Sequence, residues 1–312
     1  MNTILVLGGT GFVGAHVCEK LVRAGWHVTV PTRRRKNARH ILHLPSLTVL
    51  EMDVHDPAAL ARAVQGHHAV VNLVAVLHGN AARFDAVHVA LPKALAHACS
   101  AAQVRQLVHI SALGADAQHP DAAPSDYLRS KSRGEAALQQ AAASAPWQLT
   151  LLRPSVIFGA EDKFLNLFAR LQTIAPVVPL AGADARFQPV WVQDVADAVV
   201  RSVAPTAPGG VVEVCGPNVY TLRQLVQLAG QLSGVNEGRG RPVIGLPQWM
   251  GRLQALAMEC LPGEPLMSRD NLDSMRTPNV ATGQHPGLAA LGIIPAALPP
   301  IAQEYLRRHS AD

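Results

Sequence analysis

The stretch I-L-V-L-G-G-T-G-F-V-G, residues 4–14, decides the fold. Four apolar residues in a row read as a short strand buried on both faces. Gly8, Gly11 and Gly14 then form G-x-x-G-x-x-G, and a helical pattern runs over 12–23. A glycine motif alone says little. Between a strand and a helix it has a mechanism. Gly8 allows the tight turn, Gly11 lets the backbone approach a pyrophosphate, and Gly14 lets the helix pack close to the strand. With Thr10, Phe12 and Val13 completing the turn, the helix start offers free N–H groups and a positive dipole end to phosphate.

The same alternation continues along the chain. Apolar, weakly alternating runs lie at 27–30, 47–51, 69–74, 106–110 and 148–152. Helical segments separate them at 57–65, 84–102 and 126–143. Gly25 closes the first helix, and Asp56-Pro57 opens the next as N-cap and N1. Strand–helix alternation predicts right-handed βαβ units, so the fold class is α/β, a Rossmann doubly wound parallel sheet. The second half is less regular. Pro and Gly cluster near 174–182, 205–217, 238–247, 262–265 and 295–300, between helical patterns at 163–172, 193–202, 221–233, 247–260 and 299–308. We read 1–158 as a dinucleotide-binding domain and 159–312 as a smaller mixed α/β lobe, with part of 186–216 returning to the sheet.

Composition excludes several functions. The 312 residues are 49% hydrophobic, enough for a large core. Much of the +5 net charge sits in one run, Arg33 to Lys36, which suits a small anion and not a nucleic-acid track. Cys18, Cys99, Cys215 and Cys260 are far apart, which suggests neither a disulfide framework nor zinc. The fourteen histidines include His40/His43 and His67/His68, but no further ligand completes a set, so no metal is expected. No basic stretch precedes the first strand and no apolar run reaches ~18 residues, so neither a signal peptide nor a membrane span is expected.

The end of the second strand chooses between dinucleotides. NAD binders place a carboxylate there for the ribose 2′-hydroxyl. Here V-T-V-P-T-R-R-R puts Thr32, Arg33 and Arg34 in its place. A guanidinium matches a 2′-phosphate bidentately, so NADP(H) is preferred, with NAD(H) as the alternative. Asp53, ending the third strand, can accept from an adenine amino group with Val54 against the ring, or simply cap its loop. After the fourth strand, the backbone of Leu73, Val74 and Ala75 should pass under ribose and phosphate. His78 follows them as a candidate for the substrate side.

In Y-L-R-S-K, Tyr127 and Lys131 stand four apart on one helix face, with Ser125 as a possible N-cap. A phenol is a poor acid–base group at neutral pH, and a nearby ammonium favours its phenolate. Lys131 could do this and also bond ribose hydroxyls, while Tyr127 moves a proton at a substrate oxygen as hydride transfers. Spacing alone is common by chance. The position after the fifth strand places the pair where ligands bind in this fold class.

These motifs, with V-N-L-V-A-V-L-H-G (71–79), H-I-S-A-L-G-A-D (109–116), R-P-S-V-I-F-G-A-E-D-K-F (153–164), Q-P-V-W-V-Q-D-V-A (188–196), G-P-N-V-Y-T-L (216–222) and S-R-D-N-L (268–272), carry a resemblance. The chain resembles the extended or atypical short-chain dehydrogenases/reductases. More narrowly, it is similar to the family of the NAD(P)-binding accessory subunit of respiratory complex I and its bacterial relatives. The resemblance implies a bound dinucleotide, with Pro154 and Val156 near the nicotinamide. Working members of the superfamily carry a Ser or Thr just past the fifth strand. Leu113 stands there instead, and Ser111 lies two positions early, where it could bond the cofactor or the sheet.

Two classes of function follow. One is an NADP(H)-dependent oxidoreductase for a small, possibly hydrophobic carbonyl or quinone-like substrate, with Tyr127 and Lys131 as its catalytic pair. The other is an assembly or stability factor that holds the nucleotide without turnover. A nucleotide-sugar epimerase or dehydratase is a weaker third. The apolar segment 246–261 packs onto its own lobe or meets a membrane, a partner complex or a substrate. The faces of 84–102 and 126–143 suit a dimer or a monomer equally. The expected setting is cytoplasmic, at most peripheral to the inner membrane.

Overall fold

A computed structural model describes residues 2–260 and 267–307. The expected helix at 299–308 and the segment 246–261 each run one residue past these bounds, and the cluster at 262–265 lies outside them. The chain divides into two compact units. The first comprises Met1–Pro154, Gln193–Val214 and Gly283–Ile294, and the second comprises Ser155–Val192, Cys215–Thr282 and Pro295–Asp312. The first unit thus ends four residues before the expected boundary at 158 and takes in a segment, 283–294, that no sequence signal marked.

In chain order the elements begin β1 (Thr3–Leu7), α1 (Phe12–Arg23), β2 (His27–Thr32), β3 (Leu47–Glu51), α2 (Pro57–Val64) and β4 (Ala69–Asn72). A helical stretch follows in three pieces, α3 (Ala81–Asp85), a π turn (Ala86–Ala90) and α4 (Leu91–Ala101). Then come β5 (Gln106–Ile110), α5 (Asp126–Ala142), β6 (Gln148–Pro154), β7 (Ile157–Phe158), α6 (Leu165–Ile174) and β8 (Val178–Leu180). Next are β9 (Arg186–Phe187), β10 (Val190–Trp191), α7 (Val192–Ser202), β11 (Gly210–Val214), β12 (Tyr220–Thr221) and α8 (Leu222–Leu232). The series ends with β13 (Val243–Gly245), α9 (Gln248–Glu259), α10 (Arg269–Ser274) and α11 (Leu298–Leu306).

Seven strands form one sheet in the order β11-β6-β5-β4-β1-β2-β3. Every pairing in it is parallel. Such a sheet is buried on both faces, and the sequence obliges: Ile4, Leu5, Val6, Leu7, Val28, Val30, Val70, Val71, Leu107 and Val108 have no exposed surface. Each contributes about 1.5–3 kcal/mol by burial. On one face Leu60 and Val64 of α2, Leu91 and Leu95 of α4 and Leu138 of α5 join Leu5, Leu7 and Val70 in one cluster. Elsewhere in the unit, Lys20 of α1 bridges Asp197 of α7 at 2.6 Å. The strand order reverses between β1 and β4, and the crevice at their carboxyl ends is where this architecture holds ligands.

Two expected elements differ for local reasons. The fourth strand ends at Asn72, not 74, because the Asn72 side chain accepts from Val74 N at 3.1 Å and turns the chain out of the ladder. The helix expected over 84–102 starts earlier, at Ala81 under an Asn80 cap, and carries the π turn at its middle. The caps at Asp56, Ser125 and Thr221 form as expected.

In the second unit Phe158, Leu165, Phe168, Leu222, Leu225, Val226, Leu298 and Leu306 make a separate core. Asp162 caps α6 by accepting from the amides of Phe164 and Leu165, and also accepts from Tyr305 Oη at 2.8 Å. The strands of this unit are two or three residues long, too short for any period to show in sequence. The α9 helix bears on the two readings of 246–261. It turns Gly251 and Ala255 inward and leaves Trp249, Met250, Leu253 and Leu256 exposed, at 65%, 39%, 58% and 42%. The reason is steric: a Cβ on Gly251 would sit 2.7 Å from Ala181 Cβ, so only the small residues fit this close approach.

Candidate functional site

The glycine turn after β1 is built without room for side chains. Gly8 has φ +81°, and a Cβ there would lie 3.1 Å from Leu73 C and 3.2 Å from Val74 N. A Cβ on Gly14 would lie 2.2 Å from Gly8 O and 2.6 Å from Gly9 Cα. Gly11 is the N-cap of α1, no side chain caps it, and the first turn holds no acidic residue. Thr10, Phe12 and Val13 are half-buried around it. The result is a positive helix end set in a cradle of bare backbone, which is what a dinucleotide pyrophosphate requires.

At the end of β2, Thr32 is buried and donates through Oγ1 to Arg34 O at 3.3 Å. Arg33 and Arg34 are exposed, and neither is in ion-pair contact with a carboxylate among the described residues. The nearest acid by register is Glu51 on β3, which faces Thr32 and accepts from Arg35 N at 3.0 Å. Sequence reasoning passed over it. Asp53 is exposed and its Oδ1 accepts from His55 N, so one of its oxygens closes the loop. Val54 and Val74 pack on the apolar cluster, and Ala75 is exposed.

Tyr127 and Lys131 lie on α5, as the spacing predicts. Tyr127 is half-buried, with its ring edge-on to Phe84 at 6.1 Å and to His88 at 5.5 Å. Lys131 is 1% exposed and its Nζ donates to Ile110 O at 2.7 Å. Burial pushes its pKa down to about 8 against the upward pull of Glu135. Ser111 follows Ile110 and is 4% exposed, and its Oγ has no hydrogen-bond partner among the described residues. Buried hydroxyls are nearly always bonded, so this one fits a ligand atom. Leu113 is 2% exposed and its N donates to Pro154 O at 3.2 Å, which fills the usual hydroxyl position with packed hydrocarbon. Pro154 ends β6 in this unit. Val156 belongs to the second unit, where its N donates to Asn279 Oδ1 at 3.0 Å.

Beneath the pair runs a polar network that sequence reasoning missed. Glu135, one turn past Lys131, is fully buried and takes Arg153 in a two-pronged ion pair, Nε–Oε1 at 2.9 Å and Nη2–Oε2 at 2.5 Å. His88 accepts from Val76 N at Nε2 (3.1 Å), and its Nδ1 meets Ser130 Oγ at 2.8 Å. Burial, then the Lys131 charge, pushes the His88 pKa to about 3, and the same two causes with His88 hold His109 well below its usual value. His109 Nδ1 faces Asn72 Nδ2 at 3.1 Å. The only sequence signal for this layer was the i,i+4 step from Lys131 to Glu135.

Residues 4–215 match the NAD dependent epimerase/dehydratase family. The chain is 33% identical to "NADH dehydrogenase [ubiquinone] 1 alpha subcomplex subunit 9, mitochondrial" of Mus musculus, over 97% of this chain and 79% of that protein. It is 28% identical to the "Ceramide reductase" of Caulobacter vibrioides, over 75% of this chain and 71% of that one. Among solved structures, Pal from Bacillus thuringiensis superposes with a TM-score of 0.74 at 16% identity, covering 98% and 99% of the two chains, which supports the fold alone. The resemblance drawn from the motifs is met on both levels. The expected cytoplasmic setting is corrected: the relative at 33% identity is by name a mitochondrial protein.

Proposed function

We infer what this chain does from one premise: it belongs to the NAD dependent epimerase/dehydratase family of extended short-chain dehydrogenases/reductases. We propose that its first unit binds NADP(H) and that it acts as an oxidoreductase on a small apolar carbonyl or quinone-like compound. One observation carries this reading. Lys131 is a buried ammonium at the carboxyl edge of the sheet, one helical turn from the half-buried phenol of Tyr127. The glycine cradle stands on the same edge, after β1.

Gly8, Thr10, Gly11, Phe12, Val13 and Gly14 would hold the pyrophosphate. Thr32, Arg33 and Arg34 would take the 2′-phosphate, and Asp53 with Val54 the adenine. Leu73, Val74, Ala75, Ser111 and Pro154 would line the ribose and nicotinamide. The bound nicotinamide supplies or accepts the hydride. The chain supplies the rest: Tyr127 gives or takes the proton at the substrate oxygen, and Lys131 favours the phenolate by its charge. Leu113 offers a substrate no hydroxyl, and the ceramide reductase relative supports an apolar substrate. The test is loss of NADPH absorbance with quinones and hydrophobic carbonyls. Turnover that Tyr127→Phe abolishes while NADPH still binds supports the enzyme. Tight binding with no turnover on any compound sinks it.

A second reading, an assembly factor that holds its nucleotide, is favoured by the exposed stripe of α9 and by the complex I subunit relative. Native electrophoresis of the producing cell tests it. The chain should migrate in a large assembly and leave it in Trp249→Asp/Leu253→Asp. Migration as a free chain in both cases rules this reading out.

A further inference from the structure

The π turn inside the helical stretch 81–101 does something specific. Inserting one residue per turn rotates His88 into the interior, where it is 1% exposed, and such turns recur at functional sites. A turn that wide needs space on the facing helix. Gly134 of α5 provides it: a Cβ there would lie 2.0 Å from His88 O.

The imidazole placed this way joins three elements. Val76 N–H donates to Nε2, so that nitrogen is the acceptor and Nδ1 carries the proton. The Nδ1–H therefore donates to Ser130 Oγ, and the Ser130 hydroxyl donates to Tyr127 O at 2.7 Å. The chain of bonds runs from the segment after β4, through the π turn, to the first turn of α5. The His88 ring also stacks on Phe84 at 5.7 Å and stands edge-on to Tyr127 at 5.5 Å, so the phenol is held by two rings. With Leu113 packed where a hydroxyl could orient a substrate, the orientation of Tyr127 itself has to be fixed from behind.

We propose that His88 is the positioning residue of the acid–base pair: through Ser130 and the Val76 amide it fixes the helix start carrying Tyr127 and Lys131 against the segment that follows β4. This rests on the functional reading above, because that segment and Lys131 are the groups assigned to the nicotinamide end. The adenine end lies outside the strut and should not feel it.

Titrating NADPH and adenosine 2′,5′-bisphosphate, which lacks the nicotinamide half, separates the possibilities. His88→Ala and Ser130→Ala should each weaken NADPH roughly tenfold, the worth of one or two hydrogen bonds. Neither should change the affinity of the bisphosphate. The double variant should be no worse than His88→Ala, because both act through one strut. His88→Asn, which keeps a donor for Ser130, should recover part of the loss. NADPH affinity within about twofold of wild type in both single variants overturns the proposal, as does an equal loss for both ligands. If His88→Ala does not fold, Ser130→Ala decides alone. Failure of the wild-type chain to bind either ligand would instead sink the functional reading on which the strut depends.

Discussion

The Glu135–Arg153 pair of the first unit is costly to break. Glu135 is 0% exposed and both its oxygens are engaged, while Arg153 is 8% exposed. Removing one partner of such a pair costs about 3–5 kcal/mol, because the other charge is left buried. Here the loss is cushioned. Glu213, 2% exposed on β11, also acts electrostatically on Arg153 and remains after the change. The lower figure, about 3 kcal/mol, is therefore expected for Glu135→Ala, which in a unit of this size lowers Tm by roughly 6–12 °C. Replacing both partners, as Glu135→Leu/Arg153→Met, should recover part of that loss, since the apolar pair incurs no desolvation cost of its own while buried Glu213 loses the Arg153 charge. Thermal and urea unfolding followed by circular dichroism measures all three. A Glu135→Ala melt within about 2 °C of wild type refutes the reasoning, and so does a double variant less stable than the single. The same change reaches the site. Glu135 holds the Lys131 pKa up, so its loss should push that pKa below about 8 and shrink the charged fraction at neutral pH. The reactivity of Lys131 toward an amine reagent, measured against pH, reads this shift directly.

Three further outcomes follow from the same geometry. Arg33→Ala should weaken NADPH roughly 10–100-fold and leave NADH unchanged, as for one lost charge-assisted contact; equal effects on both would end the NADP(H) preference. Gly14→Ala should abolish dinucleotide binding and lower stability by about 1–3 kcal/mol, since its Cβ would meet Gly8 O at 2.2 Å; a stable variant with full affinity would contradict the cradle. Acid should unfold the first unit early. The His88 pKa falls from the model-peptide 6.5 to about 3, so the unfolded chain binds the proton first and stability drops as pH falls below 6.5. The slope is about 1.4 kcal/mol per pH unit for each such histidine. His88→Gln should flatten the dependence of Tm on pH between pH ~7 and ~5, and an unchanged slope would count against a neutral buried imidazole.

The frame of the fold was legible because parallel strands buried on both faces leave apolar runs, and because Gly8, Gly14 and Asp56 have single-residue reasons to be where they are. What stayed hidden lies where side chains, not periodicity, decide the backbone. Asn72 ends β4 early through its own side chain, and the π turn depends on Gly134 more than forty residues later in the chain. The sequence left the outward stripe of α9 as one of two readings for a related reason. Leu253 and Leu256 could be core by spacing, but the close approach of Gly251 to Ala181 leaves no room for a larger side chain there, so size overrides hydrophobicity. In the site, Tyr127 and Lys131 were visible as a spacing. His88, Ser130 and Arg153 were not, because each is polar, buried and partnered across a long sequence separation.

The two readings of the site make unequal demands on that hidden layer. Holding a dinucleotide needs the cradle, a cation near the ribose and little else. Lys131 supplies that cation, with its Nζ fixed on Ile110 O. A neutral imidazole spanning Val76 N and Ser130, with two rings against one phenol, adds nothing to nucleotide affinity at the phosphates. It constrains the direction of Tyr127. In a pure binder His88→Ala would weaken NADPH, and Tyr127→Phe would show no effect coupled to it. In a reductase they would be coupled, because the phenol can act only from the orientation the strut imposes. On the oxidoreductase proposal, Leu113 shifts the burden of orientation from the substrate to Tyr127.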